Sequence, residues 1–174
     1  MKSKENITFD VVIEIPKGSK NKYEFDKEKQ AIRLDRVLHT SMVYPTEYGY
    51  IPNTLAQDND PADVLVITTH PTVPYCFIEV RPIGIFYMGD EKGPDEKILC
   101  VPICDPTWGK FMDIENPFEK EVLAHLKNEI EHFFRVYKDL ENKKVIIPEK
   151  CWGGASEAIK IYKDYKESYA QLKK

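Results

Sequence analysis

The chain has 174 residues, enough for one domain with its own core, so neither a disulfide nor a metal is needed to hold it folded. A hydrophobic content of 42% excludes global disorder. Lys plus Arg number 25 against 29 Asp plus Glu, and the resulting charge of −4 argues against a general nucleic-acid binder.

The predicted elements run from strands to helices. Phe9, Val11, Ile13 and Ile15 alternate with Asp10, Val12 and Glu14, the period of a half-buried strand. Pro16 to Ser19 is turn chemistry. Tyr23 and Phe25 then alternate with Lys22 and Glu24, which share one face of a second strand. Residues 31–38 supply a third strand. Asp63 to Thr69 and Cys76 to Met88 are β-branched runs, the latter with a bulge or edge position at Pro82-Ile83-Gly84. Residues 89–96 read as a hairpin loop before a short strand over Lys97 to Val101. Asn116-Pro117-Phe118-Glu119 is a helix start with a capping box. Val122, Leu126, Ile130, Phe133, Phe134, Tyr137 and Leu140 follow at helical spacing. A second helix after Gly153-Gly154 carries Ile161, Tyr162, Tyr165, Tyr169 and Leu172 on one face. The expected fold is α+β: one domain over residues 1–174, a small, mostly antiparallel β-barrel with two packed α-helices. The Lys-rich ends, Met1 to Asn6 and Gln171 to Lys174, read as frayed. No apolar run reaches the roughly 18 residues of a membrane span, and no apolar stretch follows the first lysines as in a signal peptide. The expected location is therefore cytoplasmic, with no membrane partner. Cys76, Cys100, Cys104 and Cys151 lack the spacing of a zinc site and read as reduced, packed thiols.

Three groups of residues could carry chemistry. Asp58, Asp60 and Asp63 place three carboxylates within six residues, ahead of an apolar strand. Such carboxylates repel, and a hard divalent cation would relieve the repulsion; a polar turn is the other reading. Asp90, Glu91 and Asp95 surround Gly93-Pro94, either a solvated turn tip or a second set of ligands. Lys22, Arg36, Lys97 and Lys138, with the tyrosines of Tyr44 to Tyr50 and Tyr137, could hold an anion or could be surface pairs and core filler. The nucleotide-binding glycine loops, GxSxG and HExxH are absent, and Glu129-x-x-His132 has no second copy to make a di-iron site.

These segments together resemble the family I soluble inorganic pyrophosphatases. The signature Asp-x-Asp-Pro-x-Asp-apolar stands as Asp58 to Val64. Around it lie Val11 to Pro16, Lys22-Tyr23-Glu24, Asp35-Arg36, Tyr44 to Tyr50, Arg81 to Gly84, Asp90-Glu91, Asp95 to Lys97, and Tyr137 to Leu140. The resemblance implies a five-stranded, OB-like barrel with flanking helices. It implies magnesium-dependent hydrolysis of pyrophosphate to two orthophosphates by a metal-activated water, and a homo-oligomer, commonly a hexamer in bacteria. It further implies that Asp58, Asp63 and Asp95 hold one Mg2+, with Asp63 shared by a second, and that Asp90 and Glu14 help hold others. Asp60 would be the general base, with Asp90 its competitor. Lys22, Arg36, Tyr48, Lys97, Tyr137 and Lys138 would hold the phosphates, with Glu24 and Tyr44 in support. The alternative from another class is an OB-type oligonucleotide-binding module without catalysis, which would use the tyrosines and a basic groove.

Overall fold

A computed structural model describes residues 7–26, 28–141 and 143–172. The strands are β1 (Phe9–Ile15), β2 (Asn21–Asp26), β3 (Ala31–Val37), β4 (Glu47–Tyr50), β5 (Asp63–Val66), β6 (Phe77–Phe86), β7 (Gly89–Asp90), β8 (Gly93–Pro94) and β9 (Lys97–Pro102). Helices α1 (Pro117–Val122) and α2 (Ala124–Val136) follow, then strands β10 (Val145–Ile146) and β11 (Trp152–Gly154), and helix α3 (Ala155–Leu172).

Five strands close on themselves in the order β1-β4-β5-β9-β6 and back to β1, with β11 added to the outer side of β6. The expected five-stranded barrel is present. Its pairings are antiparallel except β5 with β9, which run parallel. The period of two decides where each side chain goes. Val64 and Val66 join one buried cluster while Leu65 and Ile67 join another; Ile98 and Cys100 divide from Leu99 and Val101 in the same way. One cluster takes Ile130, Phe133 and Phe134 of α2, and the other takes Ala158, Tyr162 and Tyr165 of α3. β9 is buried along its whole length because both its faces are covered. Gly49 is required where β4 crosses β1: a Cβ there would lie 1.9 Å from the Val12 carbonyl oxygen. The register shift expected near Gly84 occurs between Pro82 and Gly84.

Several expectations are corrected. The helical part is three α-helices, because the chain loosens at Leu123 (φ −89°, ψ −1°) between α1 and α2. This places Leu123 in the core and leaves Val122 46% exposed. Asn116 does cap α1, its side chain accepting from the Phe118 N–H. Glu119, however, does not close a capping box; it accepts from the Met112 and Asp113 N–H groups and fastens the preceding loop. Leu140 lies past the helix end in a short 3-10 turn (Asp139–Glu141), and Leu172 lies in the last turn of α3; both are exposed. Gln171 and Leu172 are helical, whereas Met1 to Asn6, Lys173 and Lys174 lie outside the described residues. The segment expected as a plain hairpin loop pairs β7 with β8 and, across the chain, with β10. Cys104 is exposed, unlike buried Cys100 and Cys151, and all four thiols are free.

Candidate active site

The parallel pairing of β5 with β9 creates the centre of the site. Its register matches Val64 with Ile98, so the residues before them, Asp63 and Lys97, begin their strands side by side. The Lys97 ammonium lies between the Asp63 and Asp95 carboxylates and forms an ion pair with each. Lys97 is only 1% exposed. Burial alone would lower its pKa, but the two carboxylates reverse that and raise it, so the side chain stays charged. Tyr48, from β4, donates its phenol to Asp63 at 2.6 Å, and the Lys97 ammonium sits 5.7 Å from that ring's centre.

The carboxylates are arranged around this cation. Burial, opposed by Lys97 and reinforced by Asp63, pushes Asp95 up to about 6. Glu14, near the end of β1, is pushed up to about 7 by burial, against a hydrogen bond from the Phe25 backbone and with a further rise from Asp63. Asp58 and Asp63, from the stretch that leads into β5, and Asp95, just before β9, line one pocket with Ala56, Pro61 and Pro94. Asp60 is on the exposed loop before β5, where its N–H donates to Asp58 Oδ1 at 3.0 Å. Asp90, on β7, faces the Lys138 ammonium at 3.7 Å.

The remaining cations and phenols come from the β2–β3 hairpin, residues 44–48 and the end of α2. The β2–β3 hairpin sets Lys22 across from Arg36. Asp35 lies between them, 3.5 Å from the Lys22 ammonium and 2.7 Å from the Arg36 guanidinium. Arg36 reaches Glu141 at 3.1 Å, and Lys22 also contacts exposed Glu24. Tyr137, at the end of α2, stacks on Phe133 with centroids 5.0 Å apart, while Tyr44 packs on Phe133 at 4.8 Å and on Tyr48 at 5.6 Å. Burial raises the phenol pKa of Tyr44 and Tyr137 far above the usual range, so both remain neutral donors. Arg36 and Asp63 act electrostatically on both rings, with Lys97 adding to the effect on Tyr44 and Asp95 to that on Tyr137.

The structure thus gathers Asp58, Asp63 and Asp95 at one pocket, with Lys97 and Tyr48 bonded to its carboxylates and Glu14, Tyr44 and Tyr137 in electrostatic reach of them. Asp60, Asp90, Glu24, Lys22, Arg36 and Lys138 stand outside the pocket lining. Four participants were missed: Asp35, Glu141, Glu96 and Tyr165. Asp35 was visible beside Arg36, but nothing local marks the Glu141 pairing 105 residues away. Glu96 looked like turn polarity and Tyr165 like core filler.

Among the described residues no three His, Cys, Asp or Glu side chains form a metal cage by themselves. The donor set still fits a hard cation: the carboxylates lining the pocket supply oxygen only, and two of them, Asp63 and Asp95, already converge on a positive charge, that of Lys97. A widely set group of acids suits an ion that keeps much of its water shell. An oligonucleotide groove fits less well, since Lys22, Arg36, Lys97 and Lys138 are each engaged by a carboxylate.

Comparison with known proteins gives a consistent result. A family profile described as inorganic pyrophosphatase matches residues 11–170. An inorganic pyrophosphatase of Methanosarcina acetivorans is 50% identical over 164 residues, 94% of this chain and 94% of the relative. One from Streptomyces coelicolor is 52% identical over 159 residues, 91% of this chain and 94% of the relative. The crystal structure of an inorganic pyrophosphatase from Thermus thermophilus is similar with a TM-score of 0.87 at 39% identity, covering 97% of this chain and 94% of that one.

Proposed function

The chain belongs to the inorganic pyrophosphatase family, and from that premise we propose that it hydrolyses pyrophosphate to two orthophosphates in the pocket between β5 and β9, with Mg2+ as cofactor. The observation that carries this reading is the convergence of Asp58, Asp63 and Asp95 on one pocket beside a fully buried, doubly paired Lys97.

Asp58, Asp63 and Asp95 would hold the first ion, Asp63 would be shared with a second, and Glu14 and Asp90 would help hold others. When bound, magnesium would neutralise substrate charge and make a water more acidic. Phosphoryl transfer to water needs little covalent chemistry from the protein, so its work is positioning and charge balance. Lys22, Arg36, Lys97 and Lys138 bind the phosphate oxygens, Arg36 as a fork and the lysines as point charges. Tyr48 and Tyr137 add neutral O–H donors, and Tyr44 supports both by packing. Glu24 steadies Lys22. Asp60 takes the proton of the attacking water while that oxygen bonds to one phosphorus and the bridging P–O bond breaks. Asp90 is the second carboxylate able to accept that proton. The negative charge leaving with orthophosphate is met by these cations.

The same reading makes the protein a cytoplasmic homo-oligomer of the hexameric kind, without nucleic-acid or membrane partners. The net charge of −4 supports the first exclusion. No helix among the described residues is long and apolar enough to cross a membrane. Exposed Tyr75 and Phe77, their rings 6.1 Å apart, offer apolar surface for self-association.

Phosphate release from pyrophosphate tests the activity. Release with magnesium, abolished by EDTA and suppressed when calcium replaces magnesium, is the expected result. A folded, magnesium-saturated protein that releases no phosphate would refute the proposal.

A further inference from the structure

Helix α3 reaches the pocket through one side chain. Tyr165 lies on its buried face, one turn beyond Tyr162, and lines the pocket together with Asp58, Asp63, Asp95 and Glu96. Its contacts go to two segments that are far apart in the chain. Its carbonyl accepts the Leu55 N–H at 3.0 Å, and its phenol is hydrogen-bonded by the Gln57 side chain, so it grips the loop that carries Asp58. The same phenol donates to the carboxylate of Glu96, which stands between Asp95 and Lys97. The helix is itself anchored: Tyr162 stacks on Phe9 with centroids 4.2 Å apart, and Glu157 accepts from the Tyr87 phenol at 2.7 Å.

We propose that Tyr165 and Glu96 are positioning residues that set the spacing between Asp58 on its loop and Asp95 before β9, and thereby the affinity of the pocket for a divalent cation. The proposal rests on the metal-dependent reading of this pocket. Its physical basis is the contrast between the two arms. Asp95 is held by the Lys97 ion pair and by its N–H bond to the Met88 carbonyl at 2.9 Å. Asp58 is on an exposed loop whose internal bonds, Ala56 N–H to Asp60 carbonyl and Asn59 N–H to Ala56 carbonyl, shape the loop without tying it to β9. Tyr165 supplies that tie. Groups that orient ligands without touching the ion commonly alter metal affinity strongly. Neither residue touches reacting atoms, so neither is a catalytic residue.

The test is Tyr165→Phe, which keeps the ring, the packing and the backbone bond to Leu55 while removing the phenol. Tyr162→Phe is the control on the same helix face, since the Tyr162 hydroxyl contacts Lys166 at 3.4 Å and lies outside the pocket lining. Mg2+ and Mn2+ binding are measured by calorimetry without pyrophosphate, and kcat at saturating magnesium. Tyr165→Phe is expected to weaken cation binding about 3–10-fold, with kcat at saturating metal within about twofold of the parent. Tyr162→Phe is expected to bind like the parent. Unchanged affinity in folded Tyr165→Phe, or equal loss in both variants, would overturn the inference while leaving the proposed function standing. Absence of both cation binding and hydrolysis in the unaltered chain would overturn both.

Discussion

At the residue scale, Glu14 has a measurable signature. Its folded pKa near 7 lies above the ordinary value of 4.5, so between these values the folded state holds more protons than the unfolded state. Stability must therefore fall as pH rises through that window, by about 3 kcal/mol from this group in the absence of metal. Glu14→Gln is neutral at every pH and should remove that part of the decline. Urea unfolding in EDTA between about pH 4.5 and 8 checks it, and parallel curves for parent and variant would rule it out. Asp95, raised to about 6, acts in the same direction and leaves a residual slope in the variant. Asp60 is tested by rate instead: Asp60→Asn should lower kcat by about 10²–10⁴ with the fold intact. Near-normal turnover with an unchanged pH–rate profile would transfer the base role to Asp90.

At the level of elements, the sharpest constraint is at Gly49. Its α-hydrogen faces the Val12 carbonyl at a distance no Cβ can occupy. Gly49→Ala must separate β4 from β1, with a cost of about 1–3 kcal/mol or more. Thermal unfolding would show it as a lower Tm, and an unchanged Tm would mean that the two strands part without cost. The elements were unevenly legible in the sequence. β1, β2, β6 and β9 announce themselves by alternation or by short stretches rich in Ile and Val, and Asn116-Pro117 marks its helix start because a cap is a local device. β4 was missed because its four residues, Glu47–Tyr50, carry no apolar alternation; Glu47 is buried only because Thr68 and Thr72 donate to its carboxylate. β10 and β11 are two and three residues long and exist through their partners. The break at Leu123 escaped notice because no Gly or Pro marks it and Val122 and Leu126 keep helical spacing across it.

For the molecule as a whole, the acidic signature and the cationic residues were legible as types, while their convergence was not. Period-two spacing placed Lys22 with Glu24 and Asp95 with Lys97. It could not place Asp63 against Lys97, since that contact depends on which strands neighbour one another in the barrel. Resemblance over nearly the whole chain, more than any local pattern, supplied the barrel and the roles. The parallel pairing that joins Asp63 to Lys97 has a further consequence for how the molecule comes into being. The two residues are 34 positions apart, and a parallel ladder cannot be closed by a tight turn. During synthesis Asp63 therefore emerges well before its counter-charge, and β5 lacks its neighbour until β9 follows. The step that closes the barrel is also the step that neutralises the carboxylates, so a chain interrupted before Lys97 has neither a complete fold nor the means to act on an anion.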